Sequence, residues 1–224
     1  MKFTYLLINF FSILVPFLRS FEPKLRFYRK LRYYIPAILL TAVFFIIWDY
    51  FKTKAGVWSF NDQYILGIKI GGLPLEECLF FFTIPYACVF VYEALSYYIP
   101  RLVFTPRLHT ILYTLSGLSF FSSLFLFPKT YTFSVLFIIG LVLPIAIRIL
   151  NKEQLDKLLL SYLVCFIPMF IVNGLLTALP VVLYDDTRNL GIRLGTIPVE
   201  DFVYFAIFHT MNISIYAFLS KKER

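Results

Sequence analysis

The sequence predicts an all-α integral-membrane protein of about seven transmembrane helices, built as a parallel 3+1+3 internal repeat. Three observations carry this reading. Of the 224 residues, 60% are apolar and only 15% charged, with a mean hydropathy of +0.79, whereas soluble domains carry about 25% charged residues. Apolar runs long enough to cross a bilayer recur along the whole chain. And the chain repeats itself: at one ungapped offset Asp49 falls on Asn173, Pro74 on Pro198, Glu76 on Glu200, Glu77 on Asp201, Phe81 on Phe205 and Tyr92 on Tyr216.

The predicted spans are 3–18, 34–51, 75–98, 109–127, 131–149, 157–179 and 197–219. The first is short. The fourth and fifth are separated only by Pro128-Lys129-Thr130. The first run follows a single lysine and has no small-residue cleavage site, so it reads as a retained helix rather than a leader. Pro36, Pro85, Pro144 and Pro168 fall in or near the starts of spans, where neighbouring helices can re-satisfy the carbonyls a proline frees. The repeat sets the organisation: residues 1–98 form the first three-helix unit, 99–130 a linker helix, and 131–224 the second unit. Four helices lie between equivalent positions, an even number, so both units point the same way. Parallel repeats normally place a site at the interface between halves.

Charge sets the expected orientation. The loops between spans 1–2, 3–4 and 5–6, together with the C-terminus, carry fourteen Lys/Arg against seven on the other side. The basic side therefore reads as cytoplasmic in a multi-pass cell-membrane protein, with the N-terminus outside and the C-terminus inside. That topology accounts for the net charge of +8 without a nucleic-acid partner; membrane lipid is the expected surrounding. Cys78, Cys88 and Cys165 lie in apolar runs, with no metal-ligand spacing and no disulfide pattern.

The candidate chemistry sits at the starts of spans 3 and 7. Gly71-Gly72-Leu73-Pro74-Leu75-Glu76-Glu77 and Gly195-Thr196-Ile197-Pro198-Val199-Glu200-Asp201 each open an apolar helix with two adjacent acids. Proline at the first turn followed by acids is also an ordinary helix start. The motif nevertheless occurs twice at matching positions, and Asp49 and Asn173, at the ends of spans 2 and 6, fall at the same membrane face. Six polar side chains (Asp49, Glu76, Glu77, Asn173, Glu200, Asp201) are thus expected at one depth. Adjacent residues on a helix point about 100° apart, so only one acid of each pair can face a shared cavity. The position that is Glu in both copies favours Glu76 and Glu200. The helix N-terminus favours an ionised carboxylate by about 0.3–1 kcal/mol, while burial in a dry cavity favours the neutral acid more strongly. A neutral acid facing an ionised partner supplies a general acid and a general base.

Aromatic residues crowd the same region, among them Trp48, Trp58, Phe80, Phe81, Tyr204 and Phe205. Ring faces stabilise a cation by about 2 kcal/mol or more when desolvated, although most membrane aromatics are lipid-facing or interfacial. His209, about two turns into span 7 from Glu200, is a supporting candidate for proton relay. No nucleotide fingerprint, P-loop, zinc motif or Asp-rich diphosphate site occurs, so neither a metal nor a cofactor is expected. Asp185-Asp186 reads as a solvated turn.

These residues resemble a known family. Trp48-Asp49, Gly56-Val57-Trp58-x-Phe60-Asn61, Tyr64, Gly67 and Pro74-x-Glu76-Glu77-x-x-Phe80-Phe81 resemble the first half of the carotenoid lycopene cyclase domain. This is the small, flavin-independent membrane type found as a bacterial heterodimer and as the cyclase part of fungal bifunctional proteins. Asn173-Gly174-x-Leu176-Thr177, Pro180-Val181-Val182-x-Tyr184, Ile192-Arg193-x-x-Thr196 to Asp201 and Tyr204 resemble the second half, so both halves are fused here. The resemblance implies a lycopene β-cyclase of carotenoid biosynthesis, an isomerase that closes the ψ end of lycopene to a β-ionone ring by protonation and deprotonation. It implies Glu76, Glu77, Glu200 and Asp201 as catalytic candidates supported by Asp49 and Asn173, lycopene as substrate, and association with other carotenoid enzymes. A small-molecule transporter with 3+1+3 parallel repeats is the alternative, though its polar groups would belong at mid-depth. A retinal-type photoreceptor lacks its lysine, since none falls within span 7.

Overall fold

A computed structural model describes residues 1–101, 103, 104 and 107–221. Positions 102, 105 and 106 of the expected linker and the last three residues of the expected second unit lie outside the described residues. Seven α-helices follow one another: α1 (Thr4–Arg19), α2 (Leu31–Lys54), α3 (Leu75–Tyr98), α4 (Leu108–Leu124), α5 (Thr130–Ile149), α6 (Lys152–Ala178) and α7 (Val199–Lys221). Five of them, α2, α3, α5, α6 and α7, are long and apolar enough to cross a membrane. At 16 and 17 residues, α1 and α4 are shorter than the ~20 residues a perpendicular span needs. Large apolar side chains remain on the outside of the bundle, for example Val43, Leu118 and Ile167, as a lipid-facing surface requires.

The all-α expectation needs one amendment. The loops after α2 and α6 contain six short strands, β1 (Trp58–Phe60), β2 (Lys69–Ile70), β3 (Leu73–Pro74), β4 (Val182–Tyr184), β5 (Arg193–Leu194) and β6 (Ile197–Pro198). β2–β3 and β5–β6 are tight antiparallel hairpins, whereas β1 pairs antiparallel with β4, Trp58 opposite Tyr184 and Phe60 opposite Val182. This last pairing ties the two loops to each other across the end of the bundle. Runs of two or three residues are too short for a period-2 pattern to register in the sequence. The hairpins turn at Gly71 and Gly195, with φ of +60° and +65°, a left-handed backbone that glycine adopts without a Cβ penalty. Each hairpin delivers the chain into the acid-led helix, with Pro74 in extended conformation just before Leu75.

The repeat is visible in the element bounds. From the end of α2 to the start of α3, every element has a counterpart at the same offset between the end of α6 and the start of α7. α1 and α5 stand against the acid-led helices α3 and α7 respectively. Asn9 of α1 fastens the first pair: its Nδ2 donates to Glu76 O at 3.0 Å and its Oδ1 accepts from Thr83 Oγ1 at 2.8 Å. α4 lies against α5 so closely that a Cβ on Gly140 would meet Phe120 Cβ at 2.8 Å, and Ser116 Oγ donates to Gly140 O at 2.7 Å. α6 opens with a reciprocal cap between Asn151 and Gln154. α3 and α7 meet in the middle of the bundle, where Asn212 Nδ2 donates to Pro85 O at 3.2 Å. The aromatic core around them includes Phe45, Phe81 and Phe208.

Candidate active site

The acid-led helices bring both acid pairs into the interior, and the loops decide which way each acid points. Glu76 is fully buried, and its Oε1 accepts the backbone N–H of Leu66 at 2.6 Å. Glu200 does the same from the other half: its Oε1 accepts the N–H of Leu190 at 2.9 Å and the hydroxyl of Thr132 at 2.5 Å. In both, Oε2 has no partner among the described residues. These two carboxylates thus pin the preceding loop to the helix start, using an acceptor that also suits the helix N-terminus.

The neighbouring acids, about 100° further round their helices, face a cavity of about 620 Å³ lined by Asp49, Glu77, Asn173 and Asp201 among otherwise mostly apolar residues. Its wall follows α1 from Thr4 to Pro16 and α3 from Glu77 to Val91, roughly 20 Å of helix at 1.5 Å per residue. The polar groups gather at the end near the strands. The remainder is lined by side chains such as Ile84, Val91, Met169 and Val172.

At the polar end each half holds its acid differently. Asp201 receives three hydrogen bonds: Tyr131 Oη to Oδ1 at 2.5 Å, Asn173 Nδ2 to Oδ2 at 2.7 Å and Tyr184 Oη to Oδ2 at 2.9 Å. Glu77 receives one phenol, Tyr5 Oη to Oε2 at 2.5 Å, and lines the same cavity as Asp49. Asp49 Oδ1 accepts from Tyr204 Oη at 3.3 Å, and its Oδ2 is buried with no partner among the described residues.

The aromatic candidates divide into two layers. Trp58, Phe80, Tyr204 and Phe205 line the cavity. Trp48 and Phe81 stand behind them: Trp48 packs 5.0 Å from the Tyr204 ring, and Phe81 packs between Phe45 at 6.0 Å and Phe208 at 5.9 Å. Trp58 meets Tyr131 edge-on at 5.1 Å, so the strand pairing that seats Trp58 also positions an Asp201 donor. His209 is completely buried further along α7. Its Nε2 lies 2.7 Å from Ser161 Oγ, and its Nδ1 has no partner among the described residues. The ligand atoms of His209, Cys88 and Cys165 come within 4.8 Å of one another, a convergence that the spacing of these residues in sequence gives no sign of. All three cysteines are buried free thiols. Asp185 and Asp186 form an exposed turn. Asp185 Oδ1 accepts from Thr187 N at 2.9 Å, and the bond from Arg193 at 2.5 Å holds the Asp186 carboxyl below the usual carboxylate range.

Sequence reasoning passed over Tyr5, Tyr131 and Asn9. A signal for the first two exists: Tyr5 and Tyr131 each sit at the second residue of the helix that opens a half. Their separation differs by two residues from the offset that aligns the acid motifs, so an ungapped shift hides them.

Comparisons with known proteins point the same way as this geometry. The family model for lycopene cyclase matches residues 2–95 and 128–219, the two halves described above. The lycopene beta-cyclases of Halobacterium salinarum strains R1 and NRC-1 are each 35% identical over 71 residues, covering 32% of this chain and 29% of theirs. A bifunctional lycopene cyclase/phytoene synthase of Phaffia rhodozyma is 44% identical over 48 residues, 21% of this chain and 7% of that protein. The matched stretch thus spans less than a third of the length of these curated relatives. No solved structure matches the chain. With residues 2–95 and 128–219 matched by one family model, the chain belongs to the lycopene cyclase family.

Proposed function

We propose that this protein is a lycopene β-cyclase that closes the ψ end of lycopene to a β-ionone ring by acid–base chemistry inside the membrane. The observation that carries this reading is a pair of carboxyl centres, Glu77 with Asp49 and Asp201 with Asn173, on the wall of a long, mostly apolar cavity. The reaction is an isomerisation and needs only a proton delivered and a proton removed. One carboxyl protonates the terminal double bond. The tertiary cation that forms is attacked by the double bond that closes the six-membered ring, and a second carboxyl takes a ring proton. No net electron transfer occurs.

The surroundings suit that sequence. The Trp58 and Tyr204 rings stand at the carboxyl cluster and would stabilise a carbocation by about 2 kcal/mol or more in a dry site. The apolar length of the cavity fits an acyclic polyene and keeps water from quenching the cation. In this reading Glu77 and Asp201 are the reacting acids. Glu76 and Glu200 fix the geometry of the loops that close the site, Asp49 and Asn173 hold the reacting pair, and His209 lies outside the reacting cluster. The same apolar lining distinguishes the site from the aqueous pathway a transporter would need.

In the membrane arrangement that goes with this function, all seven helices span the bilayer as two parallel three-helix halves joined by α4. The Lys/Arg bias places the acid-led ends of α3 and α7 toward the outer face, with the N-terminus outside and the C-terminus cytoplasmic. Association with other carotenoid enzymes would pass lycopene between apolar sites without crossing water. Expression in lycopene-accumulating bacteria tests the function. Conversion to β-carotene or γ-carotene is the expected result, and unchanged lycopene with the protein present in the membrane sinks it.

A further inference from the structure

The two halves carry the same acid motif but different partners, and the difference sorts the two carboxyl centres chemically. A carboxylate only accepts hydrogen bonds, so a buried carboxyl oxygen that no donor reaches favours the protonated form. Glu77 and Asp49 line the same cavity with one donor each, Tyr5 on Glu77 and Tyr204 on Asp49. Asp49 Oδ2 is buried and meets no donor among the described residues, so this acid pair is the one suited to hold a proton. Asp201 has no acid beside it at the equivalent place. There the chain has Asn173, whose Nδ2 donates at 2.7 Å to the Oδ2 that Tyr184 also reaches. An amide N–H₂ cannot accept a hydrogen bond from a protonated acid, and two donors on one oxygen with a third on the other describe a carboxylate.

Resting on the cyclase reading, we infer that the halves have separate duties: the Asp49–Glu77 pair is the proton donor, and Asp201, with Asn173 as its positioning residue, is the proton acceptor. In the forward step Glu77 O–H protonates C2 of the ψ end with the π electrons of C1=C2, leaving the cation at C1. The C5=C6 electrons form the C1–C6 bond and move the cation to C5. Asp201 then removes the C6 proton, and the C–H electrons restore C5=C6. One proton leaves the first half and one arrives at the second. The cycle closes when that proton returns to the Asp49–Glu77 pair, so nothing is consumed.

A shared single acid would behave differently, and deuterium separates the cases. Membranes of a lycopene-accumulating bacterium carrying the full chain are incubated in D₂O, and the extracted carotenoids are weighed by mass spectrometry. Wild-type protein should give one deuterium per ring formed. Glu77→Gln should leave lycopene both uncyclised and unlabelled. Asp201→Asn should also fail to cyclise, yet return lycopene labelled at least tenfold above the Glu77→Gln sample, because the protonated cation can only give its proton back. Asn173→Ala keeps the Asp201 carboxylate and serves if Asp201→Asn does not accumulate. It should lower ring formation while raising the label in recovered lycopene, a partition that a purely structural defect would not shift. Label in Glu77→Gln but not in Asp201→Asn overturns the assignment, as does label in neither variant at wild-type membrane levels. Unchanged lycopene with wild-type protein removes the cyclase reading itself, a distinguishable result.

Discussion

The first half meets its cavity acid with another acid, and the second half meets its own with an amide. Around that difference, Asp49 against Asn173, a hairpin, a proline, a loop-pinning glutamate and a phenol from the opening helix recur in each half, while Asp201 takes a second phenol, Tyr184, where the first half has Phe60. A duplicated scaffold thus supplies two equivalent positions in one cavity, and the exchange of Asp49 for Asn173, with the added phenol of Tyr184, makes them unlike. Acid–base catalysis needs two groups in opposite protonation states at the same pH. Two symmetric carboxyls would compete for the same role, whereas in the proposed assignment an acid–acid pair facing an acid–amide pair divides it.

The comparison is broken most severely by removing either of the carboxyls proposed to react. Glu77→Gln and Asp201→Asn should each lower ring formation by about 10²–10⁴-fold, the usual worth of a general acid or base, measured as product per unit of membrane-inserted protein. Next comes the asymmetry itself. Asp49→Asn removes the carboxyl partner of Glu77 and makes the first half resemble the second. It should cost more in ring formation than Asn173→Ala, which removes one of three donors on Asp201. A hydrogen bond to a charged group is worth about 1.5–3 kcal/mol, so the latter loss should be roughly 10–100-fold. Equal effects would mean the halves are interchangeable. A milder probe is the phenol pair. Tyr5→Phe strips from Glu77 the only phenol that reaches it among the described residues, whereas Tyr184→Phe leaves Asp201 with Tyr131 and Asn173, so the first should impair turnover more than the second. Glu76→Gln should be milder still, within about tenfold of wild type if its task is to accept the Leu66 N–H as a hydrogen bond, because the amide oxygen can take over that acceptance. Glu76→Ala should instead lower the amount of folded protein. Last, Gly140→Ala lies away from both halves' acids. Forcing a methyl against Phe120 should cost about 1–3 kcal/mol of stability, seen as an earlier thermal transition in detergent with activity per folded molecule unchanged.

Much of this molecule is legible in the chain. Helix positions follow from runs of apolar residues, a local property, and the observed helices lie within a few residues of the expected spans, α3 at the same bounds. The acid motifs stand out because charge is costly at the start of an apolar helix, and their recurrence is a matter of counting. The direction of each acid is another matter. Glu76 and Glu77 are adjacent in sequence, and the residue type alone, Glu in both copies, pointed to Glu76 and Glu200 as the cavity pair. The structure turns those two toward the N–H groups of Leu66 and Leu190 and leaves Glu77 and Asp201 on the cavity wall. The selecting force is a backbone donor ten residues upstream that becomes a neighbour only after the hairpin forms.

By itself the sequence determined a helical membrane protein with a duplicated acid motif and the family it belongs to, because span length, hydropathy and motif spacing are written along one dimension. Only the tertiary structure decided which acid of each pair meets the cavity, that Trp58 and Tyr184 are joined by a strand pairing across the halves, and that Tyr5 and Tyr131 reach the acids from helices some seventy residues away in the chain. Those are contacts between segments whose separation carries no periodic signal. They exist because buried carboxyl oxygens must find donors once the helices pack, and packing alone settles which donors are within reach.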